Sequence, residues 1–208
     1  MSRKLLIKEH KKKLLFNEFF QLKELIKAEN PSSVIASLND GYLKKYLNKC
    51  ILSNFIYVYL CINKKKIIGY AIFAKKPDYL ISEHSNLKFR IFISLLFNLK
   101  FITILNLILK FFRLDEILIS EKSKLVIKNN LNLNMLAVGK KYQSMGIGTS
   151  FLKKLFNNLN KKKKFSYVTL EAIDKNAIIF YQKKFSFKIS GTKLKFFKNL
   201  KILVKKMK

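Results

Sequence analysis

The chain has 208 residues, 50% of them hydrophobic, enough for one ordinary domain with a full core. Its 43 Lys+Arg against 12 Asp+Glu give a formal net charge of +31, a balance that suits anionic partners and excludes a predominantly acidic surface. Cys50 and Cys61 are too few for a disulfide framework, and with His10 and His84 standing apart they offer no metal-ligand spacing, so no metal site is expected.

The opening MSRKLLIKEHKKK carries basic residues but no apolar run of signal-peptide length, so a cytoplasmic chain is expected. Residues 4–8 can form a first strand. From 12 to 28 the apolar residues Leu14, Leu15, Phe19, Leu22, Leu25 and Ile26 recur at helical spacing, and Asn30-Pro31 stops that helix. Asp40 is a candidate cap for a second helix over 41–52, with Leu43, Tyr46, Leu47 and Cys50 on one face. NFIYVYLCI and KIIGYAIFA then read as two strands of an antiparallel hairpin around Asn63-Lys64-Lys65.

Residues 87–112 are almost wholly apolar apart from Lys88, Arg90, Asn98, Lys100, Asn106 and Lys110. The length is enough for a membrane span of about 20 residues, but Lys100 near its middle is costly in hydrocarbon. One or two amphipathic helices are expected, with apolar faces suited to the domain core, a peripheral membrane contact or the cover of a substrate groove. Downstream the pattern runs strand, glycine loop, helix, strand, helix, strand. LNLNMLAV alternates around Leu131, Leu133, Met135 and Leu136. A helix over 147–159 places Phe151, Leu152, Leu155, Phe156 and Leu159 on one face, with Lys153, Lys154, Asn157 and Asn158 opposite. FSYVTLEAI, NAIIFYQKK, FKIS and KILVKKM read as strand, helix and closing strands. With no internal repeat or disordered linker, one mixed α/β domain over 1–208 is expected.

Between the strand at 131–138 and its helix lies YQSMGIGTS, which holds two of the chain's 6 glycines. Backbone N–H groups at a helix N-terminus lack intrahelical partners, and the helix dipole adds positive potential. Glycine at 146 and 148 removes the β-carbons that would keep a pyrophosphate from those amides. The loop lacks the lysine and spacing of a P-loop and is not G-x-G-x-x-G, so two common nucleotide motifs are disfavoured.

Gln143-Ser144-Met145-Gly146-Ile147-Gly148 matches Q/R-x-x-G-x-G/A. Together with the preceding Ala137-Val138, the Tyr142-Gln143 pair and the following Phe151-Leu152, it resembles the cofactor block of the GNAT superfamily of acyl-CoA-dependent N-acetyltransferases. LEAIDKNAIIFYQKKFSF is similar to the family's second block, N-x-x-A-x-x-F-Y-x-K-x-G-F, with Ser186 where the family has glycine, and with Asp174 or Asn176 at the asparagine position according to the direction of counting. The two blocks span about 131–187. The resemblance implies a mostly antiparallel sheet flanked by helices, with 87–112 as an apolar helical insertion before the glycine-loop strand, and acetyl-CoA as co-substrate.

It further implies that Gln143, Met145, Gly146, Gly148 and Thr149 surround the phosphates, that Asn176 joins the cofactor site, and that Met135, Ala137 and Val138 offer backbone groups to the pantetheine arm and the thioester oxygen. Tyr181 is the expected acid for the departing thiolate and Glu171 the expected base acting through water, with Glu83-His84 a second candidate. A small-molecule amine, such as an amino sugar, is the expected acceptor. No recognition motif accompanies the positive charge, and Lys, Asn, Ile and Phe are together abundant as a biased base composition would make them, so no specific nucleic-acid partner is expected. A catalytically silent acyl-CoA-binding module, and a basic protein acting at a membrane or nucleic acid, are the competing readings.

Overall fold

In a computed structural model the described residues are 5–31, 33, 35–75, 130–161, 165–195 and 198–207; the 87–112 segment and Glu83-His84 lie outside them. Among the described residues seven strands form one sheet: β1 (Leu6–His10), β2 (Ile56–Asn63), β3 (Lys66–Ala74), β4 (Leu131–Val138), β5 (Tyr167–Ala172), β6 (Lys188–Lys195) and β7 (Lys198–Lys206). Their order across the sheet is β1-β2-β3-β4-β5-β7-β6. Every neighbouring pair is antiparallel except β4 with β5. Four α-helices among the described residues flank it: α1 (Phe16–Glu29), α2 (Asp40–Leu52), α3 (Ile147–Lys161) and α4 (Lys175–Phe185).

Alternation along the strands creates two cores, one on each face. On one side Phe19, Leu22 and Ile26 of α1 and Leu43, Leu47 and Cys50 of α2 pack on Val58, Leu60, Tyr70 and Ile72. On the other, Phe151, Leu152, Leu155 and Phe156 of α3 and Phe185 of α4 pack on Cys61, Ala71, Phe73, Leu131, Val168 and Leu170. The α3 residues are those expected from their spacing of three and four. Among the described residues no helix is long and apolar enough to cross a membrane.

Local chemistry sets the helix ends. The Glu18 carboxylate accepts the Leu15 N–H at 2.9 Å, so α1 starts at Phe16, later than the apolar spacing suggests. The cap of α2 is Asn39, whose side chain accepts the Tyr42 N–H at 3.0 Å; Asp40, the residue expected there, is the first helical position. Its carboxylate instead takes Lys23 at 3.0 Å and Lys27 at 3.4 Å, pinning α2 to α1.

Burial holds the phenols of Tyr46, Tyr57, Tyr59 and Tyr70 above the ordinary tyrosine range, and pushes the Cys61 thiol up to about 11. A raised acid pKa means that the unfolded chain loses its proton first, so the stability these groups contribute is whole below their unfolded values and lost as pH rises. The thermal unfolding midpoint, followed by circular dichroism, should hold up to about pH 9 and then fall steadily towards about pH 11.

Candidate active site

Among the described strands the mixed sheet opens at its one parallel seam. β4 pairs with β5 only through Leu131↔Val168, Asn132↔Thr169 and Leu133↔Leu170, while β5 continues to Ala172 on β7 and β4 runs on to Val138 against β3. Beyond Leu133 the two strands therefore have no ladder between them. The divergence coincides with a β-bulge: Ile72 pairs with Met135 and Phe73 with Leu133, which leaves Asn134 as the extra residue. The bulge explains a break in the β4 pattern, because Leu131 and Leu133 face the α3 core, after which Leu136 and Val138 do so while Met135 and Ala137 turn to the α1 core.

The same phase decides which backbone groups face the opening. Gly139 N–H donates to Ile68 O at 2.9 Å. In an antiparallel pair every second residue bonds its neighbour, so with Val138↔Gly69, Ala137↔Tyr70, Leu136↔Ala71 and Met135↔Ile72 in register, Ala137 and Met135 turn their amides to β3, and Leu136 and Val138 turn theirs towards the gap. Of the three β4 positions expected to offer backbone groups, Val138 is on the gap side and Met135 and Ala137 are not. Leu136, which is not among the three, shares the gap side with Val138, and its trace in the sequence is the adjacent apolar pair Met135-Leu136, which breaks period two as a bulge does. Gly69 lets β3 approach this stretch: a β-carbon there would stand 2.9 Å from Ala137 O.

β4 leads into a 3₁₀ turn, Lys140–Tyr142, and then the glycine loop. Ser144 and Gly146 have φ of 59° and 72°, in the left-handed region, so the chain reverses sharply before α3. Among the described residues a β-carbon on Gly146 would meet no atom within 4 Å, so open space lies in front of it, and one on Gly148 would be in ordinary contact with Val138 at 4.0 Å. The first intrahelical bond there runs from Ser150 N–H to Gly146 O at 3.0 Å, which leaves the amides of Ile147, Gly148 and Thr149 ahead of the ladder. The first turn of α3 holds no acidic residue. Met145 is 52% exposed beside this mouth. Gln143 has its side-chain amide committed, donating to Val138 O at 2.8 Å and to Glu29 at 3.0 Å, so it braces the loop. These features fit a pyrophosphate group.

α4 starts from Asp174, whose carboxylate accepts the Ala177 N–H at 2.8 Å, and Asn176 is exposed in its first turn. The asparagine position of the family pattern thus divides between a helix cap and an exposed side chain. Tyr181 is half-buried, with its ring 5.4 Å from Phe180 and 5.6 Å from Phe187. Burial pushes its phenol up to about 12. Glu171 is exposed on β5, one residue past the last β4–β5 pair, and so stands where the strands part.

Ser186 closes α4 in the left-handed conformation, φ 57°, with its N–H on Gln182 O at 3.1 Å and the Phe187 N–H on Tyr181 O at 3.3 Å. It therefore adopts the backbone that glycine takes at a helix C-terminus. Relief of the left-handed strain outweighs the extra chain entropy, so Ser186→Gly should stabilise the protein by about 0.5–1 kcal/mol in urea denaturation without altering the setting of Tyr181.

No family model matches the sequence, and no curated protein sequence matches it. Solved structures do match along nearly the whole chain. A mosquito arylalkylamine N-acetyltransferase like 5b is similar over 97% of this chain and 99% of its own, with TM-score 0.60 and 14% identity. The ribosomal-protein-S18-alanine N-acetyltransferase from Escherichia coli is similar over 98% of this chain and 94% of its own, with TM-score 0.54 and 12% identity. A GNAT family acetyltransferase from Elizabethkingia anophelis with acetyl-CoA bound is similar over 99% of each chain, with TM-score 0.53 and 12% identity.

Proposed function

We propose that this chain, whose fold is that of the GNAT acetyltransferases, transfers the acetyl group of acetyl-CoA to a primary amine carried by an amino sugar or another small molecule. The observation that carries this reading is the opening of β4 from β5 directly before a glycine loop that has open space at Gly146 and three helix-start amides ahead of the hydrogen-bond ladder. Bound there, acetyl-CoA supplies an activated thioester.

The chain's own groups divide the remaining work. The amides of Ile147, Gly148 and Thr149, with the α3 dipole behind them, bind the phosphates. The edge of β4 beyond its last pair with β5 receives the pantetheine arm through the backbone of Leu136 and the Val138 N–H, the Val138 oxygen being taken by Gln143. The Leu136 N–H is the donor for negative charge developing on the carbonyl oxygen, an interaction that strengthens in the transition state. Tyr181 holds its proton at neutral pH as any phenol does, burial extends that to higher pH, and the proton is available to the departing sulfur. Glu171, at the parting of the strands, accepts the amine's proton through water.

The acceptor class is supported by the mosquito protein, whose name is that of a small-amine enzyme; the Escherichia coli protein is named for a ribosomal-protein substrate. Isothermal titration with acetyl-CoA, followed by a screen of amino sugars, polyamines, arylalkylamines and peptides, tests the reading. Micromolar binding with acetylation of a small amine is expected. Acetylation of peptide amines alone would overturn the acceptor class, and no binding of acetyl-CoA would overturn the reading itself.

A further inference from the structure

The glycine loop is tied to a helix more than a hundred residues earlier in the chain by one carboxylate. Glu29, the last residue of α1, accepts the Lys140 N–H through Oε1 at 2.8 Å and Gln143 Nε2 through Oε2 at 3.0 Å. Gln143 Nε2 also donates to Val138 O at 2.8 Å, so the last residue of β4, the first residue of the 3₁₀ turn and the residue that follows the turn join one network. The helix end is itself anchored, because the neighbouring Asn30 donates from Nδ2 to the buried Tyr70 hydroxyl at 2.7 Å. Gly139, inside the network, is held independently through Ile68 O.

We propose that Glu29 is a positioning residue for the phosphate-binding loop: its two oxygens preset the turn at 140–143 and so the direction of the amides at 147–149. The proposal rests on the acetyl-CoA reading above. Residues 143–146 are all exposed and include two left-handed residues, so burial does not hold this stretch, and polar ties at its root must. A carboxylate suits the task because each oxygen accepts a separate donor, and hydrogen bonds to a charged acceptor are the stronger kind. With both oxygens so engaged, the amides at the start of α3 remain free of it and available to an anion.

Hydrogen exchange and calorimetry on the full chain test this. In Glu29→Ala the Lys140 amide should exchange at least about tenfold faster, while the Gly139 amide, held by Ile68, keeps its wild-type rate. The Kd for CoA should rise about tenfold, and that for S-acetylpantetheine, which has no pyrophosphate, should not change. Glu29→Gln keeps one acceptor oxygen and should fall between wild type and Glu29→Ala. An unchanged Lys140 exchange rate overturns the proposal, as does equal weakening of both ligands, which marks a general loosening of the fold. If the wild-type protein binds neither ligand, the acetyl-CoA reading fails and the phosphate role of Glu29 fails with it; faster Lys140 exchange in Glu29→Ala would then identify a purely structural tie.

Discussion

Gly146→Glu should weaken acetyl-CoA binding by at least about a hundredfold, the equivalent of about 2.7 kcal/mol. Two effects combine. At φ 72° any side chain forces an L-residue into the left-handed region, which costs about 1–2 kcal/mol and disturbs the loop that must present the amides. The carboxylate then occupies the open space in front of the loop, where the phosphates are expected, and like charges about 4 Å apart repel by about 1–4 kcal/mol at a wet or half-wet site. Gly146→Ala separates the two contributions. Its β-carbon meets no atom within 4 Å, so it carries strain without a clash. The alanine variant should lose about 1 kcal/mol of stability and keep acetyl-CoA affinity within about tenfold of wild type. Isothermal titration of the three proteins, beside their thermal midpoints, checks this; a glutamate variant that binds like wild type would move the phosphates away from the loop.

Tyr181→Phe should lower kcat by about 10²–10³ while leaving the Kd for acetyl-CoA within about twofold, since a positioned general acid, the role proposed for this residue, contributes on that scale. The ring stays: its contacts to Phe180 and Phe187 need no hydroxyl, and among the described residues the hydroxyl makes no hydrogen bond. Stability should therefore be almost unchanged. The pH dependence carries a sign. In the proposed acid role the working form is the protonated phenol, and with the pKa pushed up to about 12 that form persists through the ordinary assay range. A descending limb caused by Tyr181 therefore lies near pH 12, and an ascending limb at lower pH reports the amine or its base. Single-turnover acetylation measured from about pH 6 to 10 should show the Phe variant reduced by a constant factor. A reduction that vanished at one end of that range would assign the lost step to another group.

Local rules made most of the architecture legible. The α3 residues Phe151, Leu152, Leu155 and Phe156 have a helical period that no strand reproduces, and all four are buried. The glycine pair was legible because left-handed backbone and open approach both demand glycine, and Gly146 has both. Other features depend on partners distant in the chain. Nothing near Glu29 indicates that its carboxylate reaches Lys140 and Gln143, because that contact exists only once α1 lies beside the end of β4. Asp40 resembles a cap locally, and only the neighbouring Lys23 and Lys27 show why its charge is used elsewhere. The bulge at Asn134 left a trace in Met135-Leu136, but reading it needs the β3 register.

The seam between β4 and β5 also has a mechanical meaning. Three residue pairs join a block of four strands, β1 to β4, to a block of three, β5 to β7. Loaded in tension across the sheet, the backbone ladder would part there first, as a zipper left mostly undone parts at its last closed teeth, and the α3 core that spans both blocks would be left to hold them. A thin ligand arm laid in the gap would act as a rivet between the blocks, so that stiffness across the sheet rises with occupancy and relaxes when product leaves.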